Sequence, residues 1–332
     1  MSPGTEAAWR PDVLGAPFEA CDLPLGEDSE GPYWATLVRR RPEPFAELRE
    51  RWRRAPLRGV DVLYIHGWTD YFFQRHLAET WTALGARFYA VDLRKYGRSL
   101  RPGQTPGLIA DLADYDAEIA AARRVMDPHG ERRFVLMGHS TGGLTASLWA
   151  DRHPGALAGL VLNSPWLEFQ AGGFGREAVA PFVQLGSRWA PLDPLPGVDF
   201  GFYARAVSRA HGGEWDLVPA WRPENGFAVR PAWLAAIFAG HQRVARGLSI
   251  DAPVLTLLSA RSTIRASWSE QMRSSDSVLV VDDIAQRALG LGPVSTIVRF
   301  DGALHDVFLS RAPIRERAAA ELQRWARGYL RD

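Results

Sequence analysis

Cysteine, lysine and long apolar runs are scarce in this chain of 332 residues. Cys21 is the only cysteine, which excludes an intramolecular disulfide and a metal site built from several thiolates. Lys95 is the only lysine, and the formal net charge is +1 without any basic run, so nothing favours nucleic-acid binding. No run of about 18 apolar residues occurs, so we expect no membrane-spanning helix.

The remaining composition is that of an ordinary globular protein, with 46% hydrophobic and 23% charged residues. The length suits one large α/β domain with an insertion, or two ordinary domains. Residues 1–8 lack the basic region and apolar stretch of a signal peptide, so we expect a cytoplasmic protein. The sequence leaves the oligomeric state open.

Apolar runs and helical periodicities alternate along most of the chain, which predicts a mainly parallel sheet with helices on both faces. Residues 1–30 are rich in proline, glycine and acids and are interpreted as an irregular lead-in. The predicted strands are 33–38, 60–65, 87–92, 133–137, 159–163, 253–258 and 295–300, and the predicted helices are 71–84, 112–126, 143–153 and 314–330.

The alternation breaks between residues 166 and 248, which predicts a mostly helical cap insertion into a core made of residues 1–165 and 249–332. Aromatic side chains bury large apolar areas, so a cap rich in them favours a hydrophobic substrate. Those aromatic residues are Trp166, Phe182, Trp189, Phe200, Phe202, Tyr203, Trp215, Trp221, Phe227, Trp233 and Phe238.

Residues 138–142 (Gly-His-Ser-Thr-Gly) follow the apolar run 134–137 and precede a helix-forming segment. A serine presented at the tip of a strand needs a sharp turn, and small residues two positions away on each side relieve its crowding. A serine hydroxyl is a weak nucleophile without a base, so the motif predicts a histidine and an orienting acid further along the chain. Ser140 is the candidate nucleophile.

His305 lies directly after the last predicted strand and is the candidate base. The acid should come between the strand at 253–258 and His305, where Asp276, Asp282 and Asp283 all qualify by order. Asp276 is preferred, because Asp282 and Asp283 lie where a helix N-cap belongs. Asp282 stays the alternative.

The backbone N–H groups of Trp68 and Thr141 are the candidate oxyanion-binding donors, because both follow strands that end at the same predicted sheet edge. Candidate pocket residues are Trp68, His139, Trp166 and Trp215. His66 is expected to hold its loop. Acids in the segment 211–216 could hold a substrate amine, although an exposed loop is the simpler interpretation.

The order Ser140, Asp276, His305 resembles that of α/β-hydrolases, within them the monoacylglycerol lipase/lysophospholipase group, also called serine aminopeptidase S33. The similarity rests on Tyr-Ile-His-Gly at 64–67, Asp-Leu-Arg-Lys-Tyr-Gly-Arg-Ser at 92–99, Gly-His-Ser-Thr-Gly-Gly at 138–143 and Gly-Ala-Leu-His at 302–305. Lys-Tyr replaces the family's usual Gly-His at 95–96. About fifteen residues separate strand 253–258 from Asp276, where the family usually has a few.

The resemblance implies an eight-stranded-type α/β-hydrolase sheet with a cap, and a serine hydrolase that cleaves carboxylic esters of small hydrophobic or lipid-like substrates. No metal or organic cofactor is expected. The alternatives are a prolyl-type aminopeptidase or amidase, although the Gly-Gly-Ser-Trp-Gly elbow of the former is absent, and a non-catalytic ligand receptor on the same fold. Transfer of the acyl group to an alcohol also stays open.

Overall fold

The computed structural model describes residues 7–42, 55–170, 181, 183–195 and 201–331. Within them, nine strands form a single sheet: β1 (Arg10–Pro11), β2 (Phe18–Asp28), β3 (Gly31–Arg40), β4 (Val60–Ile65), β5 (Arg87–Asp92), β6 (Arg133–His139), β7 (Gly159–Asn163), β8 (Val254–Ser259) and β9 (Ser295–Phe300). Their order across the sheet is β1-β2-β3-β5-β4-β6-β7-β8-β9.

The six strands from β5 to β9 in that order pair in parallel, which confirms the predicted mainly parallel sheet. Strands β4, β7 and β8 are buried along their whole length, as expected for strands covered on both faces. Four predicted strands (60–65, 87–92, 159–163 and 295–300) match the observed bounds. Parallel connection brings the carboxyl ends of β4, β6, β8 and β9 to one edge.

Helices cover both faces of the sheet. The labelled helices are α1 (Arg75–Thr82), α2 (Asp116–Met126), α3 (Thr141–Arg152), α4 (Phe202–Val207), α5 (Pro231–Ala245), α6 (Val281–Ala288) and α7 (Ala312–Tyr329). On one face of the sheet α1 and α7 bury Trp81 and Trp325, and on the other α2 and α3 bury Ile119 and Leu144.

Helix α1 is shorter than the predicted helix 71–84. The backbone N–H of Phe72 donates to the Asp92 carboxylate at 2.9 Å, and the Phe72 ring is fully buried. Residues 71–74 therefore run as a loop over the sheet edge before the helix begins. The predicted helix 112–126 likewise starts as a 3₁₀ turn over Leu112–Tyr115.

The interpretation of residues 1–30 as an irregular lead-in is wrong for residues 10–11 and 18–28, which are strands. Strands β1 and β2 extend the sheet through antiparallel pairing of β2 with β3, and β1 makes a ninth strand. Proline and glycine are unusual inside strands, so Pro24 and Gly26 argued against one here. A β-bulge between them accommodates both residues at this end of the sheet.

Two residues that are rare in the chain are buried near this antiparallel end. Cys21 on β2 is 1% exposed, and burial raises the pKa of its thiol to about 11. Lys95 follows β5 with φ of 62°, at the position where the resemblance expects glycine. Its ammonium group donates to Asp28 at 2.7 Å and to Glu30 at 2.6 Å, which fastens the β2–β3 hairpin to this turn.

The segment between β7 and β8 leaves the sheet and contains α4, α5 and a helical stretch at 183–189. Gly240 of α5 lies close to the side chains of Leu112, Leu144 and Leu148, so α5 packs directly on the core. Phe182 and Phe200, which the sequence analysis counted among the cap aromatics, lie outside the described residues. We call residues 166–248 the insertion, and its role as a cap stays a prediction.

Candidate active site

Ser140 lies at the turn between β6 and α3 with φ of 52° and ψ of −116°, a conformation that a non-glycine residue rarely adopts. The glycines around it are required by close packing. A Cβ on Gly138 would lie 2.4 Å from the Gly142 oxygen, and one on Gly142 would lie 2.3 Å from the His66 oxygen. The turn therefore presents the Ser140 hydroxyl at the sheet edge and places it at the N-terminus of α3.

Ser140, His305 and Asp276 form one chain of hydrogen bonds. Ser140 Oγ lies 3.0 Å from His305 Nε2, and His305 Nδ1 lies 2.9 Å from Asp276 Oδ2. The three residues are 7%, 2% and 0% exposed, so the chain is shielded from bulk water. With a proton on Nδ1, the imidazole donates to Asp276 and accepts from the serine hydroxyl.

Asp276 is fixed by its own loop. Its second carboxylate oxygen accepts the backbone N–H groups of Val278 and Leu279, both at 2.8 Å. These two bonds leave Oδ2 free to face His305. The carboxylate is thus oriented before any substrate is present.

The extra residues before Asp276 form a loop whose two ends are hydrogen-bonded to each other. Asp276 N–H donates to the Arg261 oxygen at 3.0 Å, and Thr263 N–H donates to the Asp276 oxygen at 2.7 Å. Residues 261 and 263 therefore pair with Asp276, and the residues between form a loop closed at this base. We call residues 260–279 the acid loop. Its closure returns Asp276 to the end of β8 despite the long spacing.

Asp282 lies outside this hydrogen-bond chain. It is exposed and pairs with Arg299 at 2.6 Å. The interpretation of Asp282 and Asp283 as N-caps is wrong in position, because the cap residue of α6 is Val280 and both acids lie in the first turn. Acids there still suit the positive end of the helix dipole.

The two predicted oxyanion donors flank Ser140. Thr141 is the first residue of α3, and Trp68 follows Gly67, whose missing Cβ would lie 3.1 Å from the Ser140 Cβ. His66 supports this loop, since its Nδ1 lies 2.7 Å from the Gly67 oxygen and its Nε2 accepts the Leu93 N–H at 3.1 Å. Burial lowers the pKa of His66, which keeps the ring neutral as this pairing requires.

A polar network behind His305 was missed by sequence reasoning. Asp306 accepts from Asn163 Nδ2 at 2.6 Å, from Gln74 Nε2 at 3.1 Å and from the Phe308 N–H at 2.9 Å. Burial opposes its ionisation, but nearby His139 and these donors outweigh it and lower the pKa of Asp306. The signal in the sequence was an acid directly after the candidate base.

The predicted pocket residues separate into distinct environments. Trp68 packs on Trp233 with ring centroids 3.8 Å apart, and Trp166 lies 6.0 Å from the same ring. His139 is buried beside His305, with 4.9 Å between ring centroids. Trp215 lies in another cluster, where its Nε1 donates to the Leu309 oxygen at 2.8 Å.

Several known proteins resemble this chain in sequence. The family model described as "Serine aminopeptidase, S33" matches residues 58–205. The monoacylglycerol lipase of Mycolicibacterium smegmatis is 27% identical over 257 residues, which cover 76% of this chain and 82% of that protein. The chain has the α/β-hydrolase fold and resembles the monoacylglycerol lipase and S33 group in sequence. This hydrolase is accordingly a lipase- or esterase-type enzyme that acts on carboxylic esters.

Two solved structures show how far the fold of this hydrolase extends. The monoacylglycerol lipase of Paleococcus ferrophilus has a TM-score of 0.61 at 20% identity and covers 81% of this chain and 94% of its own. A soluble variant of the monoglyceride lipase of Saccharomyces cerevisiae has a TM-score of 0.62 at 13% identity, with 99% and 96% covered. Among the described residues, no helix is both long and apolar enough to span a bilayer.

Proposed function

We propose that this hydrolase cleaves esters of hydrophobic acyl chains or alcohols, as a monoacylglycerol lipase or lysophospholipase would, with Ser140, His305 and Asp276 as its catalytic triad. The observation that carries the proposal is the buried hydrogen-bond chain from Asp276 through His305 to Ser140. Its distances suit proton transfer from serine to imidazole without rearrangement.

In the first half-reaction Ser140 Oγ attacks the acyl carbon while His305 Nε2 takes the hydroxyl proton. The tetrahedral oxyanion accepts the N–H groups of Trp68 and Thr141. Asp276 stabilises the imidazolium that forms. His305 then gives its proton to the leaving alcohol as the carbon–oxygen bond breaks, which leaves an acyl group on Ser140.

In the second half-reaction water attacks the acyl-enzyme and His305 takes one of its protons. Collapse of the second tetrahedral intermediate releases the carboxylic acid, and the proton returns to Ser140. The same acyl-enzyme would acylate an alcohol if one replaced the water.

The preference for a hydrophobic substrate rests on aromatic residues beside the nucleophile. Trp68 follows Gly67, which lies against Ser140, and its ring is surrounded by Tyr96, Phe227 and Trp233. Transfer of an acyl chain from water to a site lined by such rings contributes roughly 25 cal/mol of binding free energy per Å² of apolar area buried.

The contacts of the loop at 211–216 disfavour the aminopeptidase alternative. Glu214 pairs with Arg315, and Asp216 pairs with Arg209 at 3.0 Å. An acid that is already neutralised by arginine is a poor receptor for a substrate amine.

The test combines covalent labelling with turnover. Wild-type protein should be labelled by a fluorophosphonate and should hydrolyse p-nitrophenyl esters with an optimum above acetate in the series from acetate to palmitate. Ser140→Ala should abolish both, whereas Ser249→Ala, which alters an exposed serine, should change neither. A folded wild type that binds long-chain esters without label or turnover would favour the receptor alternative.

A further inference from the structure

Two hydrogen bonds tie the loop that carries the Trp68 N–H to the insertion. We call residues 67–71 the oxyanion loop. Thr69 Oγ accepts the Phe227 N–H at 2.9 Å, and the Tyr71 hydroxyl accepts the Val218 N–H at 3.0 Å. Thr69 has φ of 52°, a conformation that needs such external support in a residue other than glycine.

A buried ion pair lies between these two contacts. Arg222 Nη1 donates to Asp70 Oδ1 at 2.8 Å, and the two side chains are 5% and 3% exposed. Asp70 is only two residues from Trp68, whereas Arg222 lies 152 positions further along the chain. Removing a charged side chain from water costs free energy, so buried charges are normally found beside a partner of opposite charge.

Arg222 also reaches the other side of the reaction centre. Its guanidinium carbon lies 5.2 Å from the centre of the Tyr203 ring. The Tyr203 hydroxyl accepts the Asp306 N–H at 3.2 Å, and the ring meets the His305 ring edge-on at 5.3 Å. One side chain of the insertion thus contacts the oxyanion loop directly and the histidine loop through Tyr203.

We propose that Arg222 is a positioning residue that sets the oxyanion donor of Trp68, through Asp70, against the nucleophile and the base. The inference rests on the proposed function and deepens it, because it makes part of the insertion necessary for transition-state stabilisation. Displacing an oxyanion donor by a fraction of an ångström weakens a contact made only in the transition state. The ground-state affinity for the ester should then change little.

The experiment compares Arg222→Met and Arg222→Lys with Arg209→Met, which removes the exposed ion pair to Asp216 in the same insertion. For a medium-chain p-nitrophenyl ester, we expect Arg222→Met to lower kcat about 100-fold and Arg222→Lys about 10-fold, with KM within about 3-fold. The affinity for an alkyl trifluoromethyl ketone should fall by the same factor as kcat/KM, because its adduct with Ser140 carries an oxyanion. Arg209→Met should leave all three values unchanged.

A double variant separates positioning from stability. Asp70→Leu with Arg222→Met replaces the buried ions by apolar side chains, which often leaves stability unchanged or improves it. We expect Arg222→Met alone to lower Tm, and we expect the double variant to restore Tm while its kcat stays low. Recovery of kcat together with Tm would overturn the proposal, as would an Arg222→Lys enzyme with unaltered kcat. Failure of the proposed function is distinguishable, because the wild type itself would then lack turnover and labelling at Ser140.

Discussion

The oxyanion loop and the acid loop lie beside the same serine and histidine but are held in different ways. Thr69, Asp70 and Tyr71 of the oxyanion loop bond to residues 218–227 of the insertion, far away in sequence. The acid loop is held largely by itself: Ser262 Oγ donates to the Leu279 oxygen and accepts the Val281 N–H. The acid loop also contacts the insertion, where Arg273 donates to the His211 oxygen at 2.6 Å, but the bonds that fix Asp276 all come from residues 261–279.

This contrast has a consequence for substitution. A change in residues 218–227 should disturb oxyanion stabilisation and leave the acid in place. A change among the residues that bond to Asp276 should alter the orientation of His305 and leave the bonds between the oxyanion loop and the insertion in place. Variants can therefore be chosen that affect one loop at a time.

The largest effect is expected where the acid loop meets His305. Asp276→Asn keeps the shape but removes the charge that orients the imidazole, so kcat should fall by about 10³ to 10⁴. Steady-state kinetics on a p-nitrophenyl ester measures it. Asp282→Asn, which alters only an exposed pair with Arg299, should retain most activity. The opposite ranking would make Asp282 the acid and would contradict the role given to the acid loop.

An intermediate effect is expected from matched threonine variants, one in each loop. Thr69→Val keeps the branched shape but loses the acceptor for Phe227, so kcat should fall about tenfold as the oxyanion loop shifts. Thr263→Val removes only the hydroxyl–hydroxyl bond with Ser275, whose own proton goes to the Gln271 oxygen, so kcat should stay within about 3-fold. Equal losses in the two variants would contradict a locally held acid loop.

The smallest effect is a pH dependence of local stability on the oxyanion side. Burial lowers the pKa of His66 and lowers that of His76 to about 4, below the value near 6.5 of an unfolded histidine. Such groups stabilise the fold above pH 6.5, and the contribution is lost as pH falls below that value because the unfolded chain binds protons first. For His76 the loss between pH 7 and pH 5 is about 2 kcal/mol.

Hydrogen exchange at pH 7 and pH 5, corrected for intrinsic rates, measures this difference. Protection should decrease in residues 64–76 more than in residues 262–279, which contain no histidine. His76→Gln should reduce the difference between the two pH values. A uniform decrease across both segments would show that acid weakens the whole fold instead.

The sequence was most informative where local pattern and chemistry coincide. Apolar runs bounded by glycine marked the strands at 60–65 and 159–163, and the spacing of small residues around Ser140 identified the turn. The order of Ser140, Asp276 and His305 was readable because strand ends meet at one edge of a parallel sheet. Strand β2 was missed because it contains a proline and a glycine, which are unusual in strands and are accommodated here by a β-bulge.

Contacts between distant segments were not readable. The ion pair between Asp70 and Arg222 depends on how the insertion folds back over the sheet. No sequence periodicity in either segment predicts that the two residues meet. Asp306 had a visible neighbour in His305, but its donors Gln74 and Asn163 come from separate parts of the chain. Such networks are tertiary features, and composition in this chain gave no hint of them.

The buried thiol of Cys21 makes the chain convenient for site-directed labelling. A thiol with a raised pKa and 1% exposure should react very slowly with maleimides. A cysteine placed at Trp189, which is 82% exposed in the insertion, would then take a fluorophore or spin label selectively. Movement of the insertion relative to the sheet can be followed in a chain that needs no prior removal of a native cysteine.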